Sequence, residues 1–393
     1  MFNTLELLPP DPVLGIPVLF QQDLHPKKVN LSVGAYQDGE GRSYVLEAVR
    51  DAESRIAASK PLKNYLPIEG DPEYIALTAK LIFGDFEPER FFGAQCVGGT
   101  SALRLGADFL VRNKVKVIAV SNPSWPNHAP IFKQAGLEVV EYPYYNPQIH
   151  QIEFSRLIDS LKKLPKESAV LLQGCCHNPT GMDLEFPQWQ ELFKTMQNLN
   201  LLPFFDFAYQ GFGEGLDADA KAIRFFASQG IEMVIAYSFS KNMGLYGERA
   251  GFFGVLMDRS SKGQVASQVK QLIRSNYSNP PIHPARIVTT ILKDAELKKE
   301  WERELNTMRE RVQCMREALA FGLSAAGAQK DFSFLLRQKG VFSYSGLTFD
   351  EVQSLRNEWG IYLLDNGRMN VAGINAGNLD SITKAMTNVS NAS

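Results

Sequence analysis

From about residue 95 to 255, short apolar runs alternate with segments whose apolar positions recur every three or four residues. VKVIAV (115–120), LEVVEYPYY (137–145), AVLLQGCC (169–176), LLPFFDFAY (201–209) and MVIAYSFS (233–240) read as buried strands, being short and rich in β-branched or aromatic residues. SALRLGADFLVRN sets Leu103, Ala107 and Leu110 on one helical face, and helices are expected near 154–163, 187–199 and 218–229. Strands separated by helices predict an α/β fold with a mostly parallel, doubly wound sheet. Ligands of such sheets sit beyond the carboxyl ends of the strands. Asn122-Pro123, Asn178-Pro179, Asp206 and Lys241 all fall at those ends.

Beyond about residue 262 the pattern turns helical and charged. KKEWERELNTMRERVQCMREAL (298–319) predicts a long amphipathic helix with its charges on a solvated face. VFSYSG (341–346), a helix at 348–358 and GRMNVAG (367–373) then predict a smaller α+β part. Pro9, Pro10, Pro12 and Pro17 predict an extended N-terminal arm. A chain of 393 residues exceeds what one core comfortably serves. The expected division is 1–40 as the arm and part of the small domain, 41–297 as the large domain and 298–393 as the small C-terminal domain.

Composition narrows the partners. The formal net charge of −2 lacks the basic excess of a polyanion binder, so neither nucleic acid nor a membrane surface is expected. No apolar run approaches the roughly 20 residues of a membrane helix. The N-terminal stretch has neither a basic, apolar signal pattern nor an Arg-rich transit pattern, so a cytoplasmic protein is expected. Of the four cysteines, Cys175 and Cys176 are adjacent, which is not zinc-knuckle spacing. All four are expected to be small buried residues in a reducing cytosol, and no metal is expected.

Several residues carry chemistry. Lys241 follows an apolar strand and precedes a glycine-containing turn, and a lysine held in a pocket becomes a nucleophile toward carbonyls. Ser238, Ser240 and Arg249 surround it in sequence and suit a phosphate. Asp206, after another apolar strand, needs a partner, which a protonated pyridine nitrogen would supply. Tyr209 can hydrogen-bond a ring oxygen. Gly98-Gly99-Thr100-Ser101 opens a helix and forms an anion site. His177-Asn178-Pro179-Thr180-Gly181 follows a buried strand, and Arg274 and Arg368 are candidates for carboxylates. Each has a plain alternative when taken alone: a surface lysine or arginine, an Asp capping the next helix, an ordinary N-cap, a turn.

Taken together, SNPSWPNH (121–128), CCHNPTG (175–181), DFAYQGF (206–212), SFSKN (238–242) and GRMNVAG (367–373) resemble, in this order, the class I aspartate/aromatic aminotransferases. These are fold-type-I pyridoxal-phosphate enzymes, and the resemblance runs over essentially the whole chain. It implies that Lys241 carries pyridoxal 5′-phosphate covalently and later shuttles a proton. Asp206 would pair the pyridine nitrogen with His128 behind it, Tyr209 and Asn178 would bond the ring oxygen, and Trp125 would stack on the ring. Gly99, Thr100, Ser238, Ser240 and Arg249 would hold the phosphate, with Tyr65 reaching in from a partner subunit. Arg368, beside Gly34, would clamp the substrate α-carboxylate, with Trp125 and Asn178 also at the substrate. Arg274 of the other subunit would meet the distal carboxylate. A site built from two chains implies a homodimer, and the arm would wrap the neighbour.

The leading expectation is ping-pong exchange of an amino group between aspartate or glutamate and 2-oxo acids. The nearest rival is the aromatic branch, which keeps Arg274. A lyase or decarboxylase on the same fold fits the two arginines less well, and a transcription regulator would need a DNA-binding module and a basic balance. Three positions depart from the family: Ser101, more often Gly; Gln173, often a histidine behind the cofactor; and Gln37, a frequent lysine in the aspartate-preferring branch.

Overall fold

A computed structural model describes residues 2–7 and 15–392. Pro9, Pro10 and Pro12 of the expected arm lie outside the described residues. Pro17 departs from the extended expectation, since it lies in the first turn of the helix Gly15–Gln22. There its missing N–H has no intrahelical partner to lose. The chain divides into two compact units, Tyr44–Arg311 and Met1–Ser43 with Val312–Ser393.

The Tyr44–Arg311 unit is built on seven strands: β1 (Phe91–Val97), β2 (Val117–Asn122), β3 (Glu138–Pro143), β4 (Ala169–Gln173), β5 (Leu202–Phe207), β6 (Met233–Ser238) and β7 (Ala250–Leu256). Their order is β1-β7-β6-β5-β4-β2-β3. β7 runs antiparallel to both neighbours, and the other pairings are parallel. Phe204, Phe205 and Phe207 of β5 are all fully buried, so both faces of the central strand are covered, as a helix-flanked sheet requires. The order brings the carboxyl ends of β1, β2, β4, β5 and β6 to one edge.

Two strands are absent from the sequence reading. Gly93 and Gln95 in β1, and Gly251 and Gly254 in β7, break up the apolar runs. Packing requires Gly251, because a Cβ there would come within 2.4 Å of the Gly98 backbone. The helix expected at 218–229 is two, Leu216–Asp219 and Lys221–Ser228. Asp219 turns back at the break and accepts from the N–H groups of Gly211, Gly213 and Glu214 at 2.7–2.9 Å.

The long helix runs Ala295–Ala325, beyond both expected ends. Two of its charges are not on a solvated face. Glu304 is 7% exposed and caps the helix Glu47–Ser59, accepting from Glu47 N at 2.7 Å, Ala48 N at 3.0 Å and Tyr44 Oη at 2.6 Å. Arg316 is 3% exposed and donates to the carbonyls of Gly340 and Phe342 and to Ser343 Oγ.

In the smaller unit, Val29–Asn30 pairs in parallel with Ile361–Tyr362, and Phe342–Tyr344 pairs antiparallel with Arg368–Asn370. The helix Phe349–Trp359 starts at a Thr348/Glu351 capping box. Leu379–Asn391 forms another helix of this unit.

Candidate active site

The edge where the parallel strands end gathers most of the candidates. The helix Gly98–Arg112 begins directly after β1, and its N-cap residue Val97 makes no side-chain cap bond. The first-turn N–H groups thus have no side-chain cap and, with the helix dipole, suit an anion. Around them, a Cβ on Gly98 would lie 2.2 Å from Arg249 Nη2, and one on Gly99 would lie 3.0 Å from Ser238 Cβ. Gly98 has φ +75°, and Arg249 itself holds φ +61°. Arg249 Nη1 donates to Ser240 Oγ at 3.3 Å and to the Tyr246 carbonyl at 3.0 Å. Thr100 sits exposed in the same first turn. Ser101 follows it half-buried, and Tyr277 Oη donates to the Gln95 carbonyl at 3.2 Å.

Lys241 follows β6 by three residues, with its Nζ 5.3 Å from the centre of the Tyr209 ring. Asp206 stands within β5, in register with Gln173 of β4. It is not a helix cap, since its Oδ2 lies 2.9 Å from Nε2 of the fully buried His128. The contact continues through His128 Nδ1 to Ser124 Oγ (2.8 Å), Ser121 Oγ (3.2 Å) and His177 Nε2 (2.9 Å), and His177 Nδ1 meets Thr180 Oγ1 (2.9 Å). One orientation satisfies every link. Each imidazole donates from Nε2, and each Nδ1 accepts from a hydroxyl. Burial, with His128 nearby, pushes His177 down to about 3, so it stays neutral.

Trp125 is half-buried, its ring edge-on to His128 at 5.2 Å. Asn178, 5% exposed, is held by Gln173, whose amide oxygen accepts from Asn178 N at 2.8 Å and whose amide nitrogen donates to Asn178 O at 3.0 Å. Cys175 and Cys176 come within 4.8 Å of Asp219, all three buried. Burial raises the Cys175 thiol and lifts Asp219 to about 6, disfavouring the charged forms. Cys314 departs from expectation in being exposed, on the long helix.

Tyr65 is 91% exposed. Arg274, near the end of the helix Lys262–Asn276, is exposed and donates to Ser278 Oγ. Neither is gathered into the interior with the other candidates.

In the smaller unit, Arg368 is 2% exposed, donates to the Ser32 carbonyl at 2.7 Å and lies 4.1 Å over the Phe342 ring. Gly34 lies against the same ring, where a Cβ would meet Phe342 Cζ at 2.8 Å. Asn370, unnoticed in the sequence, fixes this turn by donating to the Val33 and Ala35 carbonyls at 2.6 and 2.7 Å. Gln37 forms a bridge with Ser43.

The sequence profile of aminotransferase class I and II matches residues 26–386. The chain belongs to this family. It is 46% identical over 395 residues to an aspartate aminotransferase of Escherichia coli, covering 99% of this chain and 100% of that protein. The crystal structure of an aromatic-amino-acid aminotransferase from Burkholderia pseudomallei, covalently bound to pyridoxal phosphate, superposes with a TM-score of 0.96 at 44% identity, covering 99% of each chain. An aromatic amino acid aminotransferase from Psychrobacter, cocrystallised with aspartic acid, superposes with a TM-score of 0.96 at 39% identity, again covering 99% of each. The fold of this chain is that of the pyridoxal-phosphate aminotransferases, and the chain is an aminotransferase. No helix among the described residues is long and apolar enough to cross a membrane.

Proposed function

We propose that this enzyme is a pyridoxal-phosphate-dependent aspartate aminotransferase. It exchanges the amino group of L-aspartate or L-glutamate with 2-oxo acids such as 2-oxoglutarate and oxaloacetate. The observation that carries the reading is the meeting, at one sheet edge, of an anion cradle, a lysine and a carboxylate backed by a buried histidine chain. Full-length identity of 46% to an aspartate aminotransferase supports the substrate.

The residues fit the cofactor. The cradle of Gly98, Gly99, Ser238, Ser240 and Arg249 has the charge and N–H donors a phosphate needs. Asp206 is suited to a protonated ring nitrogen, and Tyr209 and Asn178 offer donors for a ring oxygen. When bound, pyridoxal phosphate supplies the electron sink that makes the amino acid's α-proton acidic.

The protein supplies the remaining parts. Lys241 would hold the cofactor, and its amine is placed to serve as the base that moves the proton at the substrate's α-carbon. His128 donates from Nε2 to Asp206 and keeps that carboxylate oriented. Trp125 covers the ring face. Arg368 takes the substrate α-carboxylate bidentately, with Gly34 packed against the Phe342 ring that lies under the guanidinium, and Arg274 takes the distal carboxylate. The exposure of Tyr65 and Arg274 supports their delivery to a second copy, as in a homodimer with shared sites. The lack of a membrane-length helix and the balanced charge support a cytoplasmic setting.

The aromatic branch is the second reading, supported by the two aromatic aminotransferases above and by Gln37, where the aspartate branch often has lysine. A half-reaction titration separates the two. Aspartate and glutamate are expected to convert the visible cofactor absorbance at far lower concentrations than tyrosine or phenylalanine. Equal potency of the aromatics would move the enzyme to the aromatic or dual-specificity branch.

A further inference from the structure

Behind Lys241 lies a polar cluster within the Tyr44–Arg311 unit that the proposed chemistry leaves unused. Asn242 is fully buried. Its amide nitrogen donates to Tyr237 Oη at 2.8 Å and to the Gln210 carbonyl at 3.2 Å. Tyr237 in turn donates to Gln210 Oε1 at 2.8 Å, and Gln210 Nε2 donates to the Leu216 carbonyl at 2.9 Å. The carbonyl of Asn242 accepts from Nε1 of the fully buried Trp301 at 2.6 Å.

The residue after Lys241 is thus bonded to the residue after Tyr209, and a tryptophan of the long helix holds the joint. Among the described residues the Asn242 Oδ1 atom has no hydrogen-bond partner. A buried acceptor left unsatisfied costs about 1–3 kcal/mol. The two N–H bonds of its amide tie the strand that leads to Lys241, through Tyr237, to the residue that follows Tyr209.

We infer that Asn242 is a positioning residue, whose amide bridge through Tyr237 and Gln210 sets the Lys241 segment against the Tyr209 segment. It touches neither substrate nor cofactor, and it acts through the placement of Lys241 Nζ relative to the Tyr209 ring. The inference rests on the assignment of Lys241 as the cofactor-bearing lysine.

The test uses holoenzyme of Asn242→Ala, Tyr237→Phe and the double variant. Asn242→Ala is expected to lower kcat by roughly 10- to 100-fold, the scale of an ångström-level misplacement, with KM for aspartate changed by less than about threefold. The pH midpoint of the visible absorbance of the lysine-bound cofactor is expected to move. Tyr237→Phe should shift kcat and absorbance in the same direction. The double variant should lose less than the two single losses combined, because both changes break the shared Asn242–Tyr237 bond. Wild-type kcat and absorbance midpoint alongside a lowered Tm would overturn the inference and leave a structural role only. If Asn242→Ala fails to fold, Tyr237→Phe decides by the same split. Failure of the underlying lysine assignment would look different, since borohydride reduction of the wild-type protein would then leave no cofactor adduct on the peptide containing Lys241.

Discussion

His177 shows how one buried side chain sets a pH dependence. Burial holds it at about 3 in the fold, against 6.5 for the exposed side chain. Above pH 6.5 both states are neutral and the residue contributes nothing to the dependence. Between pH 6.5 and 3 the unfolded chain binds a proton that the fold refuses, so stability falls as pH falls. By pH 5 the loss amounts to roughly 2 kcal/mol from this residue. His177→Gln is expected to be less stable at pH 8, having lost bonds to Ser121 and Thr180, yet to lose less on acidification to pH 5. Urea unfolding at the two pH values measures this, and parallel losses in both proteins would contradict it. At this scale Lys241 and Asp206 were legible because charged residues at the ends of apolar strands are rare. His128 behind Asp206 followed from the family resemblance, but its continuation through Ser124, Ser121 and His177 was not legible, since serine is common and Ser121 meets a histidine 56 positions away. Asn242 was hidden for the same reason: its partners come from three separate segments.

Elements were readable where one periodicity dominated. The runs leading to β2, β4, β5 and β6 stand out because strands covered on both faces are nearly continuous in apolar residues. β1 and β7 escaped because their glycines answer to close contacts, such as that of Gly251 with the Gly98 backbone, rather than to strand propensity. The break at Ala220 escaped because its cause is tertiary: Asp219 leaves the helical surface to satisfy three N–H groups of a preceding loop. The charges of the long helix misled for a related reason. Glu304 and Arg316 resemble their solvated neighbours in spacing, and only the cap of Glu47–Ser59 and the carbonyls near Ser343 distinguish them.

For the whole molecule, the proposed shared site has a consequence that a self-contained subunit would not. Lys241→Ala and Arg274→Asp each disable a different part of the dicarboxylate reaction. If Lys241 and Arg274 of one site come from different chains, a mixed dimer holds one intact site and one doubly damaged site. Refolding the two variants together in equal amounts should then restore up to about a quarter of wild-type aspartate activity, because half the dimers are mixed and each has one good site. Activity no higher than the sum of the two variants would place both residues within one chain's site.

The covalent role of Lys241 is open to direct measurement. The measurement is borohydride reduction of the holoenzyme followed by peptide mapping, performed on wild type and on Lys241→Ala. A reduced cofactor adduct is expected on the peptide containing Lys241 in the wild type. Lys241→Ala is expected to fold with neither the adduct nor the corresponding visible absorbance. A reducible adduct that survives in Lys241→Ala, or that maps to another lysine in the wild type, would contradict that role.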